Sequence, residues 1–340
     1  MRYRWIAILC MLLASRETNA QSFDRVATLR GGGTTDFWAF NLDTQHWEIL
    51  ANTPAPVGPG GAIAQLQGIG FVYAFRGDHT GDFWEYDNFE NPPSNNHWIS
   101  LPSAPGPVGA GGSLAGVNYG SDDQTDRLYA LQGGGSSAVW KYDVATSTWS
   151  HVADVPEPVG PGGAITAPNR FFRPNGNLGF IEVLPGNGSN SVWSYNFATG
   201  SWSRLGSTPA SVGPGGALSS LHSSCDFGFA GGGTTTFFAA GSLCSMPGRL
   251  ADAPAPVGAG GGIAPARGLG GSDADAVYSI RGGATPDFWR YRISTNTWEA
   301  LPPAPHSIGD GGGVVQTSWV GGVVIGVEET TWGKLKTLFR

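Results

Sequence analysis

The chain has 340 residues, a formal net charge of −7 and only 13% charged residues, which excludes the basic footprint of a nucleic-acid-binding protein. Its 54 glycines and 24 prolines would suit a disordered chain by number alone. They stand instead at fixed offsets between β-branched and aromatic runs, and 13 Trp with 17 Phe supply a core, so low complexity is excluded too.

Residues 1–20 read as a secretory leader. Met1-Arg-Tyr-Arg4 is a positive start, Trp5–Ala14 an apolar run, and Thr18-Asn-Ala20 a small-x-small cleavage site before Gln21. At about ten residues the apolar run is too short to cross a bilayer, and no second span follows. The expectation is an exported, secreted or periplasmic chain without a membrane span. Export would leave Cys225 and Cys244, an even pair that reads as a disulfide in an oxidising compartment, with two buried thiols as the alternative.

Beyond the leader the sequence is periodic. Thr53-Pro-Ala-Pro-Val-Gly-Pro-Gly-Gly61 returns at Ala104–Gly112, Val155–Gly163, Thr208–Gly216, Ala253–Gly261 and Ala304–Gly312. A period of about fifty residues means one supersecondary unit repeated. In repeat one, Ala62–Leu66, Phe71–Phe75, Asp82–Tyr86 and His97–Leu101 are four short β-rich runs separated by Gly, Asn and Pro. They predict a four-stranded antiparallel meander, with helices nearly absent outside the leader. Third strands repeat an aromatic pair, as in Phe37-Trp38 and Phe288-Trp289. Fourth strands carry Trp47, Trp98, Trp149, Trp202 and Trp298. Tryptophans at such fixed places predict packing between sheets.

Repeat four departs from this pattern. Trp38, Phe40 and Trp47 have Phe238, Ala240 and Pro247 as counterparts, and Pro247 should break the outer strand. Both cysteines fall in this repeat, so a disulfide would replace lost aromatic packing. The N-terminal unit, Arg25–Gly61, lacks a first strand, while Gly312–Trp319 is a first strand lacking its repeat. A ring closes when the C-terminal strand completes the N-terminal blade and removes the exposed edge. The expected fold is all-β, a six-bladed β-propeller over 21–319, with 320–340 an extension of open placement that also admits a seventh blade.

Gly-Gly after a second strand, the aromatic third strand, Trp in the fourth and a Pro-containing exit resemble kelch repeats over about residues 25–319. The resemblance implies a propeller of the galactose oxidase and kelch type, a family that holds enzymes, adaptors and carbohydrate binders. The pattern is broken at Gly77-Asp78 and Gly186-Asn187. The paired Tyr and His copper ligands of galactose oxidase find no match, so no cofactor and no metal site is expected.

In a blade of this order the four-to-one and two-to-three loops ring one mouth. At the two-to-three loop stand Arg30, Arg76, Gln132, Pro185, Ala230 and Arg281; six residues later come Asp36, Asp82, Ala138, Ser191, Thr236 and Asp287. Arg and Asp occur together or not at all, which reads as cross-strand ion pairs. With six blades the three Arg repeats are consecutive, and three guanidiniums at one mouth suit a carboxylate or sulfate. His306 and Asp310 interrupt the loop pattern in the same sector, and Asp78 and His79 interrupt the glycine run of repeat one. The residues thus point to a monomeric, non-catalytic module meeting an acidic carbohydrate or a protein surface near Arg30, Arg76, Arg281, Asp310, His306 and His79. One rival is an enzyme resembling periplasmic kelch-type sialic acid mutarotases, with Asp310, His306 and His79 as acid–base candidates. The other is a purely structural scaffold.

Overall fold

Short runs such as Val72-Tyr-Ala-Phe75 and Phe83-Trp-Glu-Tyr86 are buried at every position, so each must be covered on both faces by neighbouring sheets. In the computed structural model, which describes residues 22–66, 71–87, 97–117, 126–167, 179–220, 225–242, 244, 247–265 and 275–320, these runs form six four-stranded antiparallel sheets. No helix occurs among the described residues. The leader and the extension beyond residue 320 lie outside them.

The closing blade joins the two ends of the chain, in the order β24 (Gly313–Val320), β1 (Ser22–Leu29), β2 (Phe37–Asn41), β3 (His46–Ile49). Blade one is β4 (Ala62–Gln65), β5 (Val72–Phe75), β6 (Phe83–Tyr86) and β7 (Trp98–Ser100). Blade two is β8 (Ser113–Val117), β9 (Arg127–Leu131), β10 (Val139–Asp143) and β11 (Thr148–Val152). Blade three is β12 (Ala164–Thr166), β13 (Phe180–Leu184), β14 (Ser191–Asn196) and β15 (Ser201–Ser207). Blade four is β16 (Ala217–Ser220), β17 (Asp226–Phe229), β18 (Phe237–Ala240) and β19 (Gly248–Arg249). Blade five is β20 (Gly262–Pro265), β21 (Ala276–Ile280), β22 (Phe288–Arg292) and β23 (Thr297–Ala300).

Strand β24 runs antiparallel to β1 from Leu29↔Gly313 to Ser22↔Val320, so the ring closes at six blades and the seven-blade alternative falls. The first strands β4, β8, β12, β16, β20 and β24 touch in cyclic order around a central cavity of about 160 Å³. Between blades, the fourth-strand tryptophan fills the gap. Trp149 of blade two packs edge-on against Phe83 of blade one, with centroids 5.0 Å apart, and its Nε1 donates to Pro102 O at 2.8 Å. Trp47, Trp98, Trp202 and Trp298 make the same bond to Pro302, Ala51, Ala153 and Ala251 of the preceding blade.

Blade four cannot make it. Pro247 stands where that Trp would be, and β19 shrinks to two residues just after it. The seam between blades three and four therefore lacks the indole clamp. Within blade four, Cys225 and Cys244 are joined in a disulfide that ties the entry of β17 to the exit of β18, with Cys225 packed on the side of blade five.

Candidate functional site

The repeated Pro-Val-Gly-x-Gly-Gly loop is the joint of the ring. Its valine enters the core and is bridged to the two-to-three loop of the preceding blade, as in Thr34↔Val57 and Thr80↔Val108. Its glycines meet the next loop. Gly60 has φ +88 and a Cβ on it would overlap Gly109 O; Gly311 has φ +80 and stands in the same way against Gly58 O, which completes the circle. Six near-identical loops thus answer to backbone contact between blades, and the loops of both kinds share one mouth.

On this regular rim the three arginines sit alike. Arg30 Nη1 donates to Asp36 Oδ2 at 2.7 Å, Arg76 Nη1 to Asp82 Oδ2 at 3.0 Å and Arg281 Nη1 to Asp287 Oδ2 at 2.9 Å. Each Nε donates to the carbonyl that enters its own blade, Ser307 O, Pro56 O and Pro256 O respectively. Each guanidinium therefore braces its hairpin to the incoming loop. Gln132 reaches the matching carbonyl, Pro107 O, at 3.1 Å without an acid partner. In blade three, where Pro185 replaces the arginine, Glu157 does related work, accepting Ser189 Oγ at 2.6 Å and Trp193 Nε1 at 3.0 Å. Those donors, with Ser191 and Arg204, hold the Glu157 carboxyl below its ordinary range against a desolvation that is the largest opposing influence.

The arginines remain 26% exposed, and Nη2 of each has no hydrogen-bond partner among the described residues, so each keeps a free donor at the mouth. The closing blade and its neighbours, blades one and five, carry all three, which makes the sector contiguous. His306 is exposed beside Ser307, and its ring lies 5.9 Å from Trp38, an aromatic the sequence reading assigned to packing alone. Asp310 is exposed; its carbonyl accepts Gly32 N at 2.7 Å, so its side chain is free of that joint.

Asp78 and His79 are exposed at φ 53 and 57, the left-handed region that their counterparts Gly32 and Gly33 occupy freely. A side chain there costs about 1–2 kcal/mol. His79→Gly is expected to raise unfolding stability by about 0.5–1 kcal/mol, read as a higher urea midpoint at unchanged slope. A lower midpoint would show that the ring is needed for packing.

Across the sector's three blades Arg30, Arg76 and Arg281 pair with Asp36, Asp82 and Asp287, and Asp78 and Asp310 are exposed on its loops, so acids outnumber bases. The arrangement suits many directional donors and acceptors better than one bare anion. On the opposite face, Asp275 is occupied by Ser294 N at 2.8 Å and Ser294 Oγ at 2.5 Å, as a turn brace; these bonds hold its carboxyl below the ordinary range.

No known family profile matches the sequence, and no curated protein sequence matches it. Among solved structures, the chain is similar to one titled "Structure of YjhT", with a TM-score of 0.53 and 16% identity over 76% of this chain and 87% of that one. It is also similar to TolB from Acinetobacter baumannii, with a TM-score of 0.54 and 12% identity over 86% of this chain and 66% of that one. At such identities the likeness concerns architecture alone. With the cyclic order of the sheets, it makes the chain a six-bladed β-propeller.

Proposed function

We propose that the chain is an exported, non-catalytic kelch-type recognition module that takes a glycan at the mouth sector of Arg281, Arg30 and Arg76. One observation carries the reading. His79 and Asp78 hold left-handed backbone that glycine would hold more cheaply, and they do so in one of the three consecutive blades that carry a guanidinium with a free Nη2. Strain kept at a mouth and absent from most of its symmetric copies supports a ligand. The mixed charge supports a polyhydroxylated ligand, neutral or weakly acidic, whose hydroxyls use donors and acceptors together. His306 over Trp38 offers an aromatic edge for a sugar face. The leader at 1–20 and the Cys225–Cys244 bond support export.

The test uses residues outside the brace. The mature protein is screened on a glycan array, and the variant H79G/H306A/D310A is compared on whatever binds. Binding should fall at least tenfold while the melting temperature holds or rises. A wild type that binds no glycan, or a variant that binds as well, would leave the scaffold reading in its place. The three arginines then serve only to brace their hairpins, each ion pair being worth about 0.2–1 kcal/mol.

A further inference from the structure

Far from the mouth, two carboxyl groups are buried together across the seam of blades three and four. Glu182 on β13 is 0% exposed and Asp226 on β17 is 3% exposed. Both stand where the other repeats place apolar or tyrosine side chains. Glu182 lies four residues before its loop glycine, Gly186, as Tyr73, Tyr129 and Tyr278 do before theirs; Asp226 lies five before Gly231, as Val72 does before Gly77. Their surroundings are polar only in part. Ser220 Oγ donates to Asp226 Oδ1 at 2.5 Å and shares a hydrogen bond of 2.9 Å with Thr166 Oγ1, while Ser242 N donates to Glu182 Oε1 at 2.8 Å. The remaining oxygens, Glu182 Oε2 and Asp226 Oδ2, have no donor among the described residues. They converge on Gly241, where a Cβ would stand 2.7 Å from the first and 3.0 Å from the second, and the two carboxyls are within hydrogen-bonding reach of each other.

Two facing carboxylates without a counter-charge are untenable in an interior. The groups packed around them, on β12, β16, β13, β17 and the turn after β18, are Thr166, Ser220, each other and the Ser242 amide. Among the described residues none of these groups is cationic, and the charge bearing on Asp226 comes from Glu182. Two carboxyls and two hydroxyls also fall short of the six to eight oxygens a calcium ion takes. One proton between Oε2 and Oδ2 satisfies both orphan atoms at once. The disulfide anchors the two segments that carry it: Cys225, packed on the blade-five side, adjoins Asp226, and Cys244 N donates to Gly241 O at 3.2 Å, next to the Ser242 amide that holds Glu182.

We propose that Glu182 and Asp226 form a proton-sharing acid pair, held in position by the Cys225–Cys244 disulfide, that latches blade three to blade four and weakens as the pH rises. Burial first, then the hydrogen bond and charge of Glu182, push the Asp226 carboxyl well above its ordinary 3.8, with Ser220 acting the other way. A raised folded value fixes the sign. The latch is fully formed below the unfolded carboxyl range and is lost progressively from there up to the raised value.

Urea unfolding of the full mature chain between pH 5 and pH 8 is compared with that of Asp226→Asn, which keeps the hydrogen-bonding shape without the ionisation. The ratio of unfolding constants, wild type over variant, should grow up to tenfold per pH unit. The infrared spectrum of the wild type at neutral pH should show a protonated carboxyl absent from the variant. In Cys225→Ser/Cys244→Ser that signal should disappear at lower pH, as the turn that carries Ser242 loosens. Parallel pH profiles, or no protonated carboxyl at neutral pH, would overturn the pair, and the infrared titration decides alone where the Asn variant does not fold. A rise in melting temperature on adding calcium or magnesium, lost in Asp226→Asn, would overturn it in favour of a cation. An unshifted infrared titration in the double serine variant would overturn the positioning by the disulfide.

Discussion

Gly311→Ala is expected to cost about 4 kcal/mol, among the largest single losses available outside the core. Two penalties add. The residue holds φ +80, where a side chain costs about 1–2 kcal/mol, and its Cβ would overlap the Gly58 carbonyl of the next loop. That neighbour is backbone, so the overlap is relieved only by moving the joint between the closing blade and blade one, at about 1–3 kcal/mol or more. Gly33→Ala supplies the control. It has φ +73 and nothing within 4 Å of its would-be Cβ, so it should lose the backbone penalty alone. Urea unfolding of the two variants separates conformation from contact. Equal losses would mean that the glycine circle is not what closes the ring.

That circle shows how much of the molecule the sequence reveals. Period, strand runs and the split first blade are local patterns repeated six times, and the structure follows them closely. The run Ala62–Leu66 becomes β4, Ala62–Gln65, and Gly312–Trp319 becomes β24, paired with β1. The Arg and Asp pairing was legible because both residues change together among copies within one chain. The second bond of each arginine, from Nε to the entering carbonyl, was not, since a backbone acceptor has no signature in the sequence. The contact of His306 with Trp38 is hidden for a related reason: Trp38 is core, as in the other repeats, and nothing in the sequence marks which loop side chain covers it. Glu182 and Asp226 were overlooked although aligning the repeats marks both as misplaced. The other polar exceptions stand in loops, while these lie in strands, where burial rather than exposure makes a carboxyl informative.

Blade four should also be the most sensitive to reduction. Five of the six blade junctions carry a tryptophan whose indole nitrogen donates to the preceding blade. The sixth has Pro247 in its place, an outer strand of two residues and a small cluster in which Phe238 is the one aromatic ring among the described residues. Cys225 and Cys244, 19 residues apart, close a loop across the blade-four hairpin that carries this junction, with Cys225 itself packed toward blade five. Chain entropy alone gives such a loop about 3 kcal/mol. Cys225→Ala/Cys244→Ala should therefore lower unfolding stability by about that amount, and a reductant should move the wild type to the level of the variant without affecting the variant itself. A wild type that loses less than about 1 kcal/mol would place the strength of the seam elsewhere. Amide exchange adds a spatial readout: in the reduced chain, β16 to β19 should lose protection before β8 to β11, whose junction keeps Trp149. Simultaneous loss in both blades would instead show that the ring opens as one unit and that no seam is weaker than the others.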